Sequence, residues 1–249
     1  MEPDETKEFF DELSFLKRDQ SFCFRCDSQV VCFNRCCSDL NLVLSPYDVL
    51  MLRKGLQMES RPFIEQYTHV AIDPDTGFPE LSMAMRDDMN QSCPLVTKPG
   101  CQVYSHRPSA CRMYPVGRGA RVTETGQIEE QFVLIKEAHC LGFESEVRWT
   151  AKSWQTDQEL EAYNRSNDLY LRLLDDWRKK GRPLNREQVG IAILALYRVD
   201  AFQRYIRAKN LLDKTSLSQS QRDLILENEA ECLAFAMRWF QSVILGKRA

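Results

Sequence analysis

The 249-residue sequence has no long apolar run and no large excess of charge of either sign. No stretch approaches the roughly 18 consecutive apolar residues that a membrane-spanning helix needs, so we expect no membrane insertion. A net charge of -3 and the lack of a dominant basic stretch give no reason to expect nucleic-acid binding. Residues 1–13 are acidic and amphipathic, whereas a secretory signal starts with positive charge and a continuous apolar segment. We therefore expect a cytoplasmic location.

Other absences narrow the class of protein. The sequence has no internal repeat of the kind that builds solenoids and no low-complexity segment. It also has no glycine-rich loop of the kind that binds nucleotide phosphates. Hydrophobic residues make up 43% of the chain and charged residues 28%, the usual mixture of a soluble globular protein. The length allows one large domain or two smaller ones.

Cysteine, by contrast, is abundant. The chain has ten cysteines, and five of them fall within the segment FCFRCDSQVVCFNRCCSDL at residues 22–40. In a reducing cytoplasm, clustered cysteines are more often metal ligands or catalytic groups than disulfide partners. A chain of this length can also bury an adequate core without a disulfide framework. The cysteine pattern therefore favours metal or cluster binding.

The cysteines are unevenly distributed along the chain. Nine lie between Cys23 and Cys140, and the tenth is Cys232. From about residue 149 onward the spacing of apolar residues becomes helical. We therefore predict an α+β fold with two parts: a small cysteine-rich metal-binding domain with few strands at residues 1–148, and a helical C-terminal region at residues 149–249.

Local patterns in the cysteine-rich part predict short helices and strands. Ser45 is a suitable N-cap, and Pro46 suits the first helical position. Asp48 completes a capping box with Ser45, and Gly55 ends this first helix. The other predicted elements are a helix over 60–67, an extended segment over 70–85 with a turn at 73–77, a hairpin over 93–104 with Pro99 and Gly100 at its bend, and a strand over 126–135.

Three long helices are predicted in the C-terminal region. In the last of them, Cys232 lies seven residues after Ile225 and three before Phe235, so these side chains share one face of a helix. Cys232 is therefore predicted to be a buried core residue without a role in metal binding. The three predicted helices span residues 154–180, 188–209 and 222–245.

The remaining cysteines form two blocks. In the first, Cys23 and Cys26 form a CxxC pair, a spacing that can direct two sulfurs at one metal. A thioredoxin-like redox pair would need a βαβ context, which is absent here. Cys36 and Cys37 are adjacent, and in an extended chain their side chains point to opposite sides. Either they serve different metal centres or only one of them is a ligand.

The second block contains Cys93, Cys101 and Cys111. Its intervals of eight and ten residues are too long for a zinc-finger knuckle but suit ligands on separate loops that converge in the fold. Cys140 could complete this set. Thiolates are soft ligands that suit zinc and iron–sulfur clusters, and four of them satisfy either.

These residues resemble a known family. CxxxCC followed by a C…GCxVYxxRPxxCRxYP block is similar to the YkgJ-type cysteine-cluster proteins, which are described as zinc- or iron-chelating, and the resemblance covers roughly residues 22–142. It implies metal binding by eight cysteines. The wider gap between Cys26 and Cys32 departs from the compact CxxCxxCC pattern, so Cys23 and Cys26 are both candidates for one ligand position. The eight matched cysteines are Cys26, Cys32, Cys36, Cys37, Cys93, Cys101, Cys111 and Cys140.

The resemblance leaves the type of centre open. Eight thiols could fill two four-ligand sites or one site with four spare thiols, and the metal could be zinc or iron, with a [4Fe–4S] cluster as one form. The family is also distantly similar to part of flagellin lysine-N-methylase. That similarity implies an alternative, a cluster-dependent protein methyltransferase using S-adenosylmethionine, or a redox enzyme acting on a protein substrate. A second alternative is a module that binds a protein partner or delivers metal.

Several polar residues beside the matched cysteines are further candidates. His106 and His139 could replace a thiolate ligand but are more often hydrogen-bonding neighbours. The positive charges of Arg107 and Arg112, on either side of Cys111, would favour thiolates, or else the two residues form salt bridges to a carboxylate such as Asp39 or Asp48. In the same block, Tyr104 and Tyr114 are candidates for shielding the site from water or for the core.

Overall fold

The computed structural model describes residues 14–17 and 19–246. The acidic segment at residues 1–13 lies outside the described residues. Short strands occupy the first 150 residues and helices dominate the rest, which confirms the predicted α+β class. The helices are α1 (Pro46–Gly55), α2 (Ser60–Tyr67), α3 (Ser109–Met113), α4 (Ala151–Asp157), α5 (Glu161–Arg178), α6 (Arg186–Ala192), α7 (Val199–Lys209), α8 (Gln219–Glu227) and α9 (Glu229–Leu245).

The strands form small antiparallel sheets. They are β1 (Ser14–Leu16), β2 (Ser21–Cys23), β3 (Val43–Leu44), β4 (Thr68–Ile72), β5 (Pro79–Met83), β6 (Val96–Thr97), β7 (Gly100–Cys101), β8 (Val116–Val122), β9 (Ile128–Leu134) and β10 (Arg148–Thr150). Strands β1, β9 and β8 form one sheet in that order, and β3, β5 and β4 form another. Two-stranded pairs join β10 to β2 and β6 to β7. The cysteine loops run between these pairs.

The predictions for the cysteine-rich part agree closely with the structure. Helix α1 begins after Ser45, whose side chain forms the predicted capping box with Asp48. Helix α2 and the hairpin of β4 and β5 occupy the predicted positions. The bend of the β6–β7 hairpin differs by one residue, because Gly100 already pairs with Thr97 and adopts a φ of +129°. Strand β8, the partner of β9, was not predicted.

Each of the three long helices predicted for the C-terminal region is broken once. Glu159 adopts a left-handed φ of +52° between α4 and α5. A single turn of π-helix (Ile193–Tyr197) separates α6 from α7. Asn228 ends α8 and caps α9, its side chain accepting from the backbone N–H groups of Ala230 and Glu231. Asparagine competes with helix continuation because its side chain satisfies these amides locally.

One hydrophobic core joins the two parts of the chain. Its buried members run from Leu16 to Ile244, and Trp177 is fully buried at its centre. The indole of Trp177 donates to the Thr76 carbonyl oxygen at 3.0 Å, linking α5 to the turn between β4 and β5. Cys232 is fully buried on α9, as its helical spacing predicts. The boundary at residue 148 stays a prediction, although strands β2 and β10 pair across it.

Within residues 14–17 and 19–246, no helix combines the length and the apolar character that crossing a membrane requires.

Candidate metal centre

The first cysteine loop is held at its start by two backbone hydrogen bonds. The amides of Phe24 and Arg25 donate to the carbonyl oxygens of Val147 and Gly142 at 2.9 and 3.0 Å. Gly142 is required for this close approach, because a Cβ there would lie 2.6 Å from the Phe24 ring and 2.7 Å from the Arg25 oxygen. The loop that carries Cys140 is thereby pressed against the loop that begins at Phe24.

This contact brings together four thiols, which we call the first thiol group: Cys26, Cys32, Cys36 and Cys140. The Leu141 amide lies 3.2 Å from the Cys32 sulfur and donates to it. Burial, and then the neighbouring Cys36, Cys32 and Cys140, raise the pKa of Cys26 to about 11. Charges that act on one another in this way identify the four thiols as neighbours.

The other four matched cysteines form the second thiol group: Cys37, Cys93, Cys101 and Cys111. The Cys93 amide donates to the Cys37 carbonyl oxygen at 2.8 Å, and the β6–β7 hairpin follows directly. Residue Cys111 keeps solvent exposure, yet surrounding protein atoms and then Cys93 and Cys101 raise its pKa to about 12. Burial also raises the pKa values of Cys93 and Cys101.

The two groups meet at the adjacent residues Cys36 and Cys37. The chain is turned here, with the Cys37 amide donating to the Asn34 carbonyl oxygen at 3.0 Å, so the extended geometry considered from sequence does not apply. The Cys36 and Cys37 thiols share a hydrogen bond, which lowers the pKa of Cys36 to about 7 and raises that of Cys37. Beyond this bond, Cys37 interacts with Cys93 and Cys111, while Cys36 interacts with Cys26. Cys36 and Cys37, although adjacent in sequence, thus belong to different thiol groups.

Arg107 supplies positive charge to both groups. Its guanidinium lowers the pKa values of Cys26 and Cys36 in the first group and of Cys101 and Cys111 in the second. It donates to the Gln158 side-chain oxygen and lies 3.8 Å above the centre of the Tyr104 ring. These contacts fix the guanidinium between the two groups.

Arg112 does not form the salt bridge to Asp39 or Asp48 that was one alternative expected from the sequence. Its guanidinium is buried and donates to the backbone carbonyl oxygens of Gln158, at 2.8 Å, and of Ser105. The carboxylate nearest to it is that of Glu159 at 3.8 Å, so the suggested bridge to Asp39 or Asp48 is wrong. Arg112 therefore fastens the second cysteine block to the α4–α5 junction.

Asp48 positions the short helix α3, which carries Cys111. Its buried carboxylate accepts from the backbone and hydroxyl of Ser109 at 2.7 and 3.1 Å, and from the backbone and hydroxyl of Ser45 at 3.0 and 2.8 Å. Desolvation raises the pKa of this carboxyl despite the four bonds. The capping signal at Ser45 could be found from sequence, but the contact with Ser109 could not, because 61 residues separate the partners.

Among the described residues, the buried Tyr114 hydroxyl and the buried Arg107 Nε, both close to the thiols, are two of the polar atoms that lack a hydrogen-bond partner. Burial and then the neighbouring Cys140 thiol raise the pKa of Tyr114 above its ordinary value. Buried donors normally find an acceptor, and a metal-bound thiolate is a strong one. These two donors and the eight thiols fit a zinc or iron centre in their chemistry.

The thiols are neighbours rather than a finished coordination sphere. Among the residues that the structure describes, no three histidine, cysteine, aspartate or glutamate side chains are arranged to hold a metal ion. All ten cysteines are free. Loading a metal would therefore require thiol side chains to turn toward a common point.

The remaining candidates lie at the margin. Cys23 ends strand β2, where it pairs with Arg148. The imidazole Nδ1 of His106 lies 2.9 Å from the Ser105 hydroxyl, and the His139 Nε2 lies 3.1 Å from Glu137. Gln158 was not predicted from the sequence. Its side-chain oxygen accepts a hydrogen bond from Arg107 and its carbonyl oxygen accepts one from Arg112, and no sequence motif marks this residue.

Comparison with known families gives a match over most of the cysteine-rich part of the chain. Residues 25–141 match the CxxCxxCC family, described as "Putative zinc- or iron-chelating domain". The matched segment includes Cys26 and all seven other cysteines of the two thiol groups, and it starts after Cys23. No curated protein and no solved structure matches the chain at a significant level. The match confirms the resemblance noted from the sequence: residues 25–141 are similar to the CxxCxxCC family of cysteine-cluster domains.

Proposed function

We propose that the protein chelates zinc or iron through two neighbouring centres, one at each thiol group. The proposal is supported by the contacts that divide the eight matched cysteines into two sets of four. The Leu141 amide, next to Cys140, bonds the Cys32 sulfur, and the Cys93 amide bonds the Cys37 carbonyl oxygen. The electrostatic neighbours of Cys26 and Cys37 agree with this division. Four thiolates complete the coordination of a zinc ion or a cubane iron–sulfur cluster. Free thiols at this density suit a reducing compartment, so we also propose a cytoplasmic location.

The residues around the thiols support this function. Arg107 offsets the negative charge that thiolates acquire on binding metal, and Tyr114 can donate a hydrogen bond to the Cys140 sulfur. Hydrogen bonds to metal-bound sulfurs fix their orientation and tune the centre. A bound metal would supply Lewis-acid or, for iron, electron-transfer chemistry. The two-part domain division at residue 148 is proposed with this function, because the metal-binding residues all precede it.

Purification under anaerobic conditions, followed by metal analysis and an absorption spectrum, tests the proposal. We expect stoichiometric metal bound to the protein. Brown colour with iron and acid-labile sulfide would identify a cluster and keep open the alternatives of a cluster-dependent methyltransferase using S-adenosylmethionine or a redox enzyme. A colourless protein with zinc would identify a structural or metal-delivery role. Protein that holds neither metal, even after reconstitution, would contradict the proposed function.

A further inference from the structure

A cavity of about 940 Å³ opens beside the point where the two thiol groups meet. Its walls come from residues 33–40, 86–98 and 137–139, and both Cys36 and Cys37 line it. The volume lies within the range of about 300–1,000 Å³ that is typical of small-molecule sites. A metal ion enclosed by four sulfurs needs no such space, so the cavity is large enough for a separate ligand.

The charged side chains that line the cavity are mainly cationic. Arg35 and Lys98 are exposed, and within the described part of the chain neither side chain has a hydrogen-bond or ion-pair partner. Arg86 is fixed in the wall, donating to the Pro94 and Val96 carbonyl oxygens at 2.8 and 3.3 Å. The acidic groups on the walls are Asp39 and Glu137, and Glu137 lies 3.1 Å from His139. Two cations are therefore free to bind an anion.

The position of the cavity restricts what such an anion could do. Of the eight matched cysteines, Cys36 and Cys37 are the two that line it. A ligand held by Arg35 and Lys98 would lie next to these sulfurs. Small carboxylates and phosphates bind arginine and lysine through charge-assisted hydrogen bonds, and their oxygen atoms also coordinate divalent metals.

We propose that this cavity binds a small polyanion of the carboxylate or phosphate class through Arg35 and Lys98, and that the polyanion carries metal to or from Cys36 and Cys37. The transfer is a ligand exchange without change of oxidation state. Metal–oxygen bonds to the carrier break, metal–sulfur bonds form, and the thiol protons pass to water. The second half of this inference rests on the proposed metal-chelating function, and the first half does not.

Anion binding to the metal-free protein tests the first half by itself. Citrate and pyrophosphate are titrated separately by calorimetry, so the two arms distinguish carboxylate from phosphate. We expect one of them to bind and the variant R35E/K98E to lose at least about tenfold in affinity, the effect of roughly 1.4 kcal/mol. The control variant K152E/K214E has the same change in net charge at exposed positions away from the cavity lining and should bind like the wild type.

Zinc uptake tests the second half. The rate of uptake from zinc–citrate is divided by the rate from aqueous zinc, and this ratio should fall at least about tenfold in R35E/K98E while staying unchanged in K152E/K214E. If neither anion binds, or if both variants lose affinity equally, the anion site is wrong. A protein that binds citrate but takes up no zinc overturns the metal transfer and the proposed function while leaving the anion site standing.

Discussion

At the scale of single residues, Arg107 and Arg112 show how two similar side chains on either side of one cysteine acquire different roles. Arg107 acts on thiols of both groups through its charge. Arg112 is buried and uses its donors on backbone carbonyl oxygens. From sequence alone the two could not be separated, because both lie within four residues of Cys111 and their partners near residue 158 are distant in the chain.

This difference predicts opposite effects for two matched substitutions. Arg107→Gln should weaken zinc affinity on the order of tenfold, a cost of about 1.4 kcal/mol, because the metal-binding thiolates lose a neighbouring positive charge. It should leave the free energy of unfolding of the metal-free protein nearly unchanged. Arg112→Gln should instead lower that free energy by about 1–3 kcal/mol, because buried acceptors lose their donors. Chelator competition measures the first quantity and urea denaturation the second.

Lysine substitutions provide the control. Arg107→Lys should restore most of the zinc affinity, because it keeps the charge, whereas Arg112→Lys should restore little stability, because it loses the planar fork that reaches two carbonyl groups. An Arg112→Gln variant that loses affinity but no stability would contradict these roles.

The thiol pKa values predict how zinc binding depends on pH. All four thiols of the second group have raised pKa values and are protonated at pH 7, whereas Cys36 in the first group titrates at about 7. Binding zinc releases these protons, so affinity rises with pH at both groups. The slope should reach up to about four decades per pH unit at the second group and should be shallower at the first.

Variants with one intact group allow this comparison. Cys32→Ser keeps the second group, and Cys101→Ser keeps the first. Zinc affinity is measured by chelator competition over roughly one pH unit on either side of the Cys36 pKa of about 7. A steeper slope for the first group than for the second would refute the assignment of Cys36 and Cys37.

At the scale of elements, helix α1 supports the centre although it contains no cysteine. Asp48 lies in its first turn and holds Ser109 at the start of α3, two residues before Cys111. Asp48→Asn keeps the shape of the side chain but replaces one acceptor oxygen with a donor. At least one buried N–H or hydroxyl loses its partner, so we expect a loss of about 1–3 kcal/mol in the free energy of unfolding.

The same substitution should also weaken zinc binding at the second group more than at the first. The measurement is zinc affinity of Asp48→Asn combined with Cys32→Ser or with Cys101→Ser. Ser45→Ala serves as the control, because it removes the cap hydroxyl of α1 but leaves the Ser109 bonds intact. An equal loss of affinity at both groups would show that Asp48 acts on the whole fold and not on α3.

Elements were predicted from sequence where local signals determine them. Helix α1 has a cap, a proline at its start and a capping box, and it occurs where these signals predict it. The breaks at Glu159, at the π-turn and at Asn228 were missed because an apolar periodicity continues through each of them. At the candidate site, the family pattern singles out the eight cysteines, and their role as metal ligands stays a prediction. The family pattern could not assign Cys36 and Cys37 to different thiol groups. That assignment depends on the turned backbone at these two residues and on cysteines in loops about 60 to 100 residues away along the chain.

At the scale of the whole molecule, the helical region and the cysteine-rich part share one core. The indole of Trp154 on α4 donates to the Met113 carbonyl oxygen at 2.7 Å. The Tyr163 hydroxyl on α5 donates to the Arg107 carbonyl oxygen at 3.0 Å. These bonds hold the second cysteine block against the helices. Because the thiols lie on separate loops supported by this core, metal binding should couple to the stability of the entire chain.

Cys232 separates the effect of a core cysteine from that of a ligand. It is fully buried on α9. Cys232→Ala should lower the free energy of unfolding by about 1–2 kcal/mol, since a buried sulfur is replaced by a small void. Metal content should not change, and a loss of metal from this variant would show that the helical region contributes a ligand.

Zinc stoichiometry of matched cysteine variants, loaded without oxygen and measured by elemental analysis per folded chain, tests the two-centre account most directly. Two separate four-thiol centres should hold two zinc ions in the wild type and in Cys232→Ala, and one in each of Cys32→Ser and Cys101→Ser. The double variant Cys32→Ser/Cys101→Ser should hold none tightly. One zinc ion in the wild type, or complete loss of zinc from either single variant while it remains folded, would contradict the existence of two separate centres.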